Sequence, residues 1–349
     1  ILKVAAVLEN SGNHVDVIDL SGIVNFEEVI KDYCVAGDVE IFGITATTPQ
    51  LPATVKILSS IKSIKPNSRV ILGGPHITLV NAAYKREVRL EINGRATTAF
   101  NQLCQDFDIL VAGDGEKAIF EALKEKAPKL IDADIPKPTN PDIQPVLFLN
   151  NKCLNELPFP ARHLVDVNSY RYHIDGIRAL SMIAQLGCPF ECGFCGGRES
   201  AMLRRIRMRT SENIVAEMNH IFQTYGIRGF MMYDDELNVN KKMIELMNFI
   251  AKTQDELGVE SRLRVFIKSE LFTEEQAEAM YKAGFRWILV GFESGSSRIL
   301  HNINKKATKE ENTECINKAR KYGLKVKALM SIGHPGESIE TIMETRNWL

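Results

Sequence analysis

The amino-acid sequence predicts an α/β protein in which a doubly wound parallel sheet is followed by a barrel or partial barrel. Short runs rich in Val and Ile alternate with segments whose apolar residues recur at helical spacing. A proline-rich stretch interrupts this alternation, which then resumes with a longer period. Strands that alternate with helices indicate parallel pairing, and two such series on one chain of 349 residues indicate two domains.

The first series predicts four strands, at residues 14–20, 38–48, 68–74 and 107–116. A helix is predicted between two of them, because Leu51, Val55, Leu58 and Ile61 recur at helical spacing. The strands end in the small-residue loops "TATTP", "GGPH" and "GDGE". In an open doubly wound sheet, ligands bind at the carboxyl ends of the strands. The loops therefore indicate a ligand site, although glycines there also serve tight turns.

The proline-rich stretch predicts a linker, which divides the chain into a first domain at residues 1–126, a linker at 127–175 and a second domain at 176–349. The second domain has five predicted strands, at residues 178–185, 229–236, 262–269, 287–294 and 326–333. One predicted helix opens on Ser211 and closes on Gly226, and another opens on Thr273. Five strand–helix units without reversal favour a barrel, whose catalytic residues belong at the carboxyl ends of the strands.

Composition excludes several functional classes. Lys and Arg total 43 against 44 Asp and Glu, so a net charge of −1 gives no reason to expect nucleic acid or an anionic membrane as a partner. No apolar run reaches the length of a membrane helix and no secretory segment is evident, which favours a cytoplasmic protein. The chain starts at Ile1 and stops within an apparently helical pattern, so we expect an incomplete chain.

Three of the seven cysteines, Cys188, Cys192 and Cys195, lie within eight residues in the sequence "CPFECGFC". A structural zinc site normally has four ligands, and no second cysteine pair is present. A redox disulfide would leave one thiol unexplained. An iron–sulfur cluster is usually held by four thiolates, so three would leave one iron open to another ligand. The other four cysteines are scattered singly and are interpreted as buried thiols.

The C-x₃-C-x₂-C spacing, with an aromatic residue before the last cysteine and a position after the first barrel strand, resembles the radical S-adenosylmethionine (SAM) enzymes. The resemblance implies that the three thiolates bind a [4Fe–4S] cluster whose open iron is chelated by SAM. An electron from the cluster then cleaves SAM to a deoxyadenosyl radical, which abstracts hydrogen from the substrate. The protein would position and shield these cofactors.

The same resemblance assigns cofactor contacts at the other strand ends. The segment "YDDE" would meet the amino group of SAM, "GFESGS" matches the end of the fourth strand, and Lys268 stands where relatives often carry Arg. "GHPGE" marks the turn after the fifth strand. The residues expected near the cluster and SAM are Phe194, Tyr233, Asp234, Asp235, Lys268, Glu293 and Ser294.

The first domain resembles the flavodoxin-like domain of the cobalamin-binding class of these enzymes, without its opening strand. The phrases "GITATTPQLPATVKI", "VILGGPHITL", "LVAGDGEKAIFEAL" and "LPFPARHL" match that class in order. A D-x-H-x-x-G motif, which would supply a histidine to cobalt, is absent. The residues expected near cobalamin are Thr45, Thr47, Thr48, Gly73, Gly74, His76, Gly113, Gly115 and Glu116.

Together these features resemble a cobalamin-dependent radical SAM enzyme with a partial (β/α)₆ barrel. The resemblance implies methylation of an unactivated carbon or phosphorus centre, by way of methylcobalamin. Cyclisation, dehydration or rearrangement without methyl transfer is the alternative, with a first domain that has lost its cofactor. A structural zinc protein is the alternative outside enzymology. The implied partners are a small-molecule or natural-product substrate and an electron donor such as flavodoxin or ferredoxin.

Overall fold

The structure is a computed structural model that describes residues 1–137 and 145–349. It divides into two compact units. The first comprises residues 1–150, 156–165 and 199–202, and the second comprises residues 151–155, 166–198 and 203–349. Within the described ranges, no helix is long and apolar enough to cross a lipid bilayer.

The first unit contains a four-stranded parallel sheet in the order β1-β2-β3-β4. The strands are β1 (Ile41–Thr45), β2 (Arg69–Gly73), β3 (Ile109–Gly113) and β4 (Leu130–Ala133). The helices are α1 (Leu2–Asn10), α2 (Phe26–Ala36), α3 (Leu51–Ile64), α4 (Pro75–Arg89), α5 (Arg95–Asp106) and α6 (Gly115–Ala122), and a short helix α7 (Asn151–Glu156) follows.

Both faces of this sheet are covered, because alternate residues of its strands enter different cores. Val70 and Leu72 of β2 pack in one core with residues from α2, α3, α4 and α5. Ile71 of the same strand packs in a second core with Ala118 and Ala122 of α6. The predicted doubly wound arrangement is therefore confirmed.

The predicted strand at residues 14–20 is wrong, since the structure assigns no strand there. In a flavodoxin-like strand order the second strand pairs only with the first, and no strand precedes α1 in the structure. Val15 and Val17 instead pack against Ala5 and Ala6 of α1. Packing against α1 therefore accounts for the alternating apolar residues without strand pairing.

The range predicted to be a linker, residues 127–175, contains ordered elements. Strand β4 lies within it and completes the first sheet, with Leu110 paired to Leu130 and Gly113 paired to Ala133. Four residues of alternating burial are too short a signal to separate a strand from an extended linker. The prolines Pro138 and Pro141 of this range lie outside the described residues.

The second unit is a six-stranded sheet in the order β12-β11-β10-β9-β6-β5, in which only the β5–β6 pair is antiparallel. Its strands are β5 (His173–Ile174), β6 (Ile177–Met182), β9 (Gly229–Met232), β10 (Arg262–Ile267), β11 (Phe285–Glu293) and β12 (Lys325–Met330), and β7 (Gln185–Leu186) pairs with β8 (Arg207–Met208). The helices are α8 (Ala201–Arg204), α9 (Ser211–Tyr225), α10 (Met243–Leu257), α11 (Glu274–Lys282), α12 (Ser297–Asn302), α13 (Lys309–Lys321) and α14 (Ile339–Trp348).

Local signals set the ends of the barrel helices. Thr210, rather than the predicted Ser211, caps α9, because its hydroxyl accepts the N–H of Asn213 at 3.3 Å. The same helix ends as predicted at Gly226, which has a left-handed φ of 67°. Thr273 caps α11 as predicted, within a capping box closed by Gln276. The five parallel strands confirm the predicted partial barrel.

Replacement of Gly113 by Ala tests how closely the end of β3 approaches the end of β4. Gly113 has a φ of +94°, and an added Cβ would lie 2.5 Å from the amide N of Asp134 and 2.6 Å from the carbonyl C of Ala133. We expect Gly113→Ala to lower the free energy of unfolding by at least about 3 kcal/mol, through backbone strain and overlap together. Thermal unfolding followed by circular dichroism measures the effect.

Gly12→Ala is the matched control, because Gly12 has a φ of +83° and open space where the Cβ would be added. This variant should lose only about 1 kcal/mol, from the left-handed backbone. Equal midpoints for the two variants would contradict the overlap at Gly113.

Candidate functional site

Five loops follow the carboxyl ends of β6, β9, β10, β11 and β12 in the second unit. They hold the three clustered cysteines, residues 233–236, residues 268–270, residues 293–296 and residues 331–337. Because these strands are parallel neighbours, their carboxyl ends meet at one edge of the sheet. The structure thus brings the predicted segments of the second domain to the same end of the partial barrel.

The cysteine loop is shaped by its own backbone. Gly187 has a φ of +89° and lies against the backbone of Arg205, where no Cβ would fit. Cys188 donates its N–H to the carbonyl of Leu203 at 2.8 Å, and Cys195 donates to the carbonyl of Cys192 at 3.0 Å. Cys192 is buried, Cys188 is half-buried and Cys195 is exposed. The loop therefore presents its three thiols at graded depths.

A second segment of the chain holds the middle of the cysteine loop. Gly193 donates its N–H to the carbonyl of Ile303 at 2.7 Å. The side-chain amide of Asn304 donates to the carbonyl of Glu191 at 3.0 Å. Asn304 has a φ of +53°, in the region that Asn tolerates better than most residues. The turn after α12 thus fixes the two peptide groups on either side of Cys192.

Asp234 anchors the start of the cysteine loop. Its carboxylate is 1% exposed and accepts the N–H groups of Ala184 at 2.8 Å and Gln185 at 2.5 Å. One oxygen of this carboxylate, Oδ1, thus serves the backbone, and the contact of Asp234 with the amino group of SAM stays a prediction. Sequence spacing identifies an acidic residue at a strand end but not the direction of its side chain.

The two neighbours of Asp234 have different surroundings. Asp235 accepts the N–H of Gly187 at 2.9 Å, so it also supports the cysteine loop. Tyr233 is 60% exposed, and its backbone N–H bonds to the carbonyl of Met182 on the adjacent strand. Of the three residues predicted here, Tyr233 and Asp235 are exposed, whereas Asp234 is buried.

Lys268 makes its contacts within the protein. Its ammonium group is 2% exposed, forms an ion pair with Glu270, and donates to the carbonyl of Lys305 at 3.0 Å. It also lies 4.3 Å from the ring centroid of Phe190, between the first two cysteines. In the structure Lys268 therefore supports the cysteine loop, and its contact with SAM stays a prediction.

Glu293 sits at a bulge at the end of β11, with a φ of +64°. Its carboxylate bonds to the ammonium of Lys305 at 3.3 Å and to the hydroxyl of Ser331 at 2.7 Å. The same hydroxyl is 2.7 Å from a ring nitrogen of His334. The segments after β11 and β12 are joined in this way.

Ser294 and Phe194 complete the set predicted near SAM. Ser294 is buried, and its hydroxyl lies 3.0 Å from that of Thr345 on α14. Phe194 is 46% exposed, and its ring centroid lies 5.5 Å from that of His334. Phe194 and Tyr233 are the two exposed aromatic side chains at these loops.

Burial dominates the electrostatics of the site. Burial raises the pKa of Asp234 to about 7 and that of Glu236 to about 7, although Lys305 and Lys268 partly oppose the shift at Glu236. Burial, with the carboxylates of Glu236 and Asp235, also raises the pKa of the Cys188 thiol to about 11. The cysteine is thus protonated until a cation compensates the charge of the thiolate.

The donor set fits an iron–sulfur cluster better than a single metal ion. Within the described ranges, no three His, Cys, Asp or Glu side chains converge on one ion-sized position. A cluster does not need such convergence, since each thiolate binds a different iron. Binding would release the thiol protons, because a metal-bound thiol is a thiolate. Cys188, Cys192 and Cys195 would therefore hold the cluster at the end of β6.

In the first unit, the predicted residues of the loops after β1 and β2 lie together. His76 donates its backbone N–H to the carbonyl of Ala46 at 2.9 Å, and its ring nitrogen Nδ1 lies 3.0 Å from the hydroxyl of Thr48. Gly74 has a φ of +92°, and an added Cβ would meet the hydroxyl of Thr45. Thr45, Thr47 and Thr48 are exposed, so this edge carries hydroxyl groups that fit a polar ligand.

The imidazole ring of His76 is not accessible to such a ligand. Its ring nitrogen Nε2 is enclosed and has no hydrogen-bond partner among the described residues, and burial lowers the pKa of the ring. Gly73 has a carbonyl that accepts the N–H of Ala46 at 3.3 Å, which ties the two loops together. Cobalamin on this edge would thus meet threonine hydroxyls and backbone groups rather than an imidazole.

The loop after β3 is shaped by packing. Gly113 donates its N–H to the hydroxyl of Thr78 at 2.9 Å. Gly115 starts α6, where an added Cβ would lie 3.0 Å from Val4 of α1. Glu116 lies in the first turn of α6, where a carboxylate favours the helix dipole. Helix packing therefore accounts for Gly115 without a ligand.

Sequence reasoning missed Asp134, at the carboxyl side of β4. Its buried carboxylate accepts the hydroxyl proton of Ser200 at 2.9 Å and the N–H of Met202, and it lies 3.9 Å from the ammonium of Lys85. Residues 199–202 belong to the first unit through these contacts. Lys305 was also missed, because it lies in a turn with no periodic pattern.

Comparison with known proteins agrees with this geometry. The sequence model of the radical SAM superfamily matches residues 182–349, and that of the B12 binding domain matches residues 1–104. Residues 182–349 are therefore assigned to the radical SAM superfamily and residues 1–104 to the B12 binding domain, which precedes the radical SAM domain on the chain. These families use a [4Fe–4S] cluster with SAM, and cobalamin, which confirms the predicted cofactor classes.

Two curated relatives align with most of the chain. An uncharacterized methyltransferase of Pyrococcus horikoshii is 28% identical over 91% of this chain and 64% of its own length. The anaerobic magnesium-protoporphyrin IX monomethyl ester cyclase of Cereibacter sphaeroides is 26% identical over 88% of this chain and 48% of its own length. The chain thus spans less than two thirds of either relative.

One solved structure has the same fold. The radical SAM methyltransferase TsrM from Kitasatospora setae, with cobalamin and a [4Fe–4S] cluster bound, matches 99% of this chain and 68% of its own at a TM-score of 0.73. The two sequences are 20% identical over this match, so the similarity concerns the fold.

Replacement of Asp234 tests the anchoring of the cysteine loop. Asp234→Ala leaves two buried N–H groups without an acceptor, at about 1–3 kcal/mol each. We expect a lower unfolding midpoint and loss of most bound iron, measured by thermal unfolding and iron analysis of protein purified without oxygen.

Asp234→Asn is the control, because its amide oxygen accepts the same two N–H groups without a buried charge. It should keep iron close to the wild-type content. Equal iron loss in both variants would indicate that the charge of Asp234, rather than its hydrogen bonds, supports the loop.

Proposed function

We propose that this chain is part of a cobalamin-dependent radical SAM enzyme that methylates an unactivated carbon or phosphorus centre of a small molecule. The observation that carries the proposal is the three-thiol loop, which lies at the carboxyl end of β6 and is held by Asp234, Asp235 and the 303–305 turn. A B12-binding domain precedes it on the same chain. The whole protein's activity is inferred here from this pairing.

The bound cofactors would supply the radical and the methyl group, while the residues of the chain would position and shield them. Cys192 is buried, which would keep its side of a cluster from water. Two buried ion pairs, Lys268 with Glu270 and Lys305 with Glu293, lie beneath the loop. They would keep the base of the loop rigid, since breaking a buried pair leaves an uncompensated charge.

Two exposed aromatic side chains, Phe194 and Tyr233, are the residues of the predicted set best placed to contact SAM or the substrate. The first-domain loops with Thr45, Thr47, Thr48, Gly73 and Gly74 are proposed to contact cobalamin. His76 is proposed to shape that edge rather than to bind cobalt, because its ring is enclosed.

The second candidate is a radical SAM cyclase, dehydratase or rearrangement enzyme that transfers no methyl group. It is favoured by the similarity to the anaerobic cyclase of Cereibacter sphaeroides, which is close in identity to the methyltransferase match. The cobalt content of the purified protein and the fate of the methyl group of SAM separate the two candidates.

The proposed partners are a small-molecule substrate and a one-electron donor such as flavodoxin or ferredoxin. The near-neutral charge gives no electrostatic support for nucleic acid or an anionic membrane. A cytoplasmic location stays a prediction.

The first experiment is the iron and cobalt content per chain of the full-length protein, purified without oxygen from cells supplied with cobalamin. Iron near four and cobalt near one would support methyl transfer, which isotope-labelled SAM then tests. Iron near four without cobalt would favour the second candidate. A colourless, zinc-containing protein would contradict both and favour the structural alternative.

Replacement of Cys192 by Ala tests the cluster assignment directly. We expect the variant to lose iron and to produce no deoxyadenosine from SAM with dithionite as the reductant, because one cluster thiolate is missing. Chromatographic measurement of deoxyadenosine reports the loss. Full cleavage of SAM by this variant would exclude Cys192 as a cluster ligand.

Cys104→Ala provides the control, since Cys104 is a half-buried thiol on α5 of the first unit. It should retain iron and SAM cleavage within about twofold, with at most a small loss of stability from the removed side-chain volume.

A further inference from the structure

The face of the six-stranded sheet that carries Trp287 is here called the lumen face of the partial barrel. Ile288 and Val290 of β11 are fully buried, whereas the alternate residues Trp287 and Leu289 point to the other side. The guanidinium of Arg264 and the ammonium of Lys325 lie 5.9 and 5.2 Å from the ring of Trp287. These side chains therefore share the lumen face.

Arg264, Trp287 and Lys325 are direct neighbours in the strand register and form the lower row of this face. Asp175 closes the row from the turn between β5 and β6, since its carboxylate accepts the indole N–H of Trp287 at 2.9 Å and pairs with Lys325 at 2.9 Å. Arg264 also donates to the hydroxyl of Tyr172 at 3.0 Å. The lower row is thus a polar floor whose groups are largely engaged.

The next row lies two residues nearer the carboxyl ends, where the cysteine loop begins. Phe266, Leu289 and Lys327 are neighbours in its register. The ring of exposed Tyr233 lies 6.1 Å from that of Phe266. Lys327 is exposed, and the described residues give its ammonium no hydrogen bond and no ion pair. An aromatic surface thus ends at an unpaired cation.

The charges of these two rows do not balance. Arg264, Lys325 and Lys327 are cationic, and the acidic side chain that contacts these rows, Asp175, is already paired with Lys325. The carboxylates of Asp235 and Glu293 lie nearer the carboxyl ends of the strands. In a concave site bounded by protein, such an excess attracts an anionic ligand and repels a cationic one. The unpaired ammonium on the upper row is the group best able to form a charge-assisted hydrogen bond.

We propose that the lumen face binds the substrate through an anionic group, a carboxylate or a phosphate or phosphonate, held by Lys327, with a flat apolar part of the molecule against Tyr233 and Phe266. The inference rests on the proposed function, because it takes this face to be the substrate site. It adds the chemical class of the substrate and a residue that selects it. A cationic substrate is disfavoured by the same charges.

The test measures binding of two matched probes, indole-3-acetate and indole-3-acetamide, to the full-length holoenzyme by calorimetry without oxygen. The probes share an aromatic ring and differ in charge. We expect the wild type to bind the acid at least about tenfold more tightly than the amide, as a charge-assisted bond would give. Added salt should weaken binding of the acid and leave the amide unaffected.

Variants of Lys327 test whether this residue causes the preference for the acid. Lys327→Gln should bring acid binding down to the level of the amide, while Lys327→Arg should keep most of the preference because the charge remains. Lys282→Gln is the matched control, since Lys282 is an exposed lysine on α11 paired with Glu278. It should behave as the wild type.

The proposal is overturned if the wild type binds neither probe, binds both equally, or keeps its preference in Lys327→Gln. Each of these results would indicate a solvated surface lysine. Failure of the proposed function has a different signature, because loss of SAM cleavage or of methyl transfer leaves probe binding unaffected. Conversely, if the enzyme methylates a substrate that has no anionic group, the proposed function holds and this inference is excluded.

Discussion

The buried hydrogen bonds of Asp234 are the interaction on which the candidate site depends. A loop that crosses the end of a strand leaves backbone N–H groups without ladder partners, and such groups are costly when they are buried. The carboxylate of Asp234 accepts two of them, from Ala184 and Gln185, directly before the three thiols. The direction of the chain into the cysteine loop follows from this contact, because it fixes two successive peptide groups.

The cysteine loop also depends on charged side chains that are buried. Lys268 and Lys305 are almost fully buried and are paired with Glu270 and Glu293. Buried pairs of this kind add little net stability, because desolvation offsets their attraction. Their effect is geometric: the carbonyl of Lys305 accepts from Lys268, and Lys268 lies against Phe190 of the cysteine loop. The ends of β10 and β11 are therefore coupled to the loop that carries the thiols.

The lumen face shows that one strand, β11, can serve both the apolar core and a polar surface. Ile288, Val290 and Phe292 of β11 point outward and build the core, whereas Trp287 points inward beside Arg264 and Lys325. Because successive side chains of a strand point to opposite faces, one set of residues can stabilise the core while the other set is available to bind a ligand. The first sheet, by contrast, packs in apolar cores on both of its faces.

The sequence by itself determined the alternation of strands and helices in two domains, the partial barrel and the three thiols, because periodicity and ligand spacing are local properties of the chain. It did not determine which polar side chains face a ligand. Asp234 and Lys268 stand at strand ends as predicted, yet both are buried against the cysteine loop, and this direction depends on contacts with residues about fifty and forty positions away. The strand predicted at residues 14–20 and the missed strand β4 have the same cause, since pairing needs a neighbour that local patterns do not reveal. Only the tertiary structure decided the roles of Asp134, Lys305 and Lys327, because each role arises from segments that are distant in sequence and adjacent in the fold.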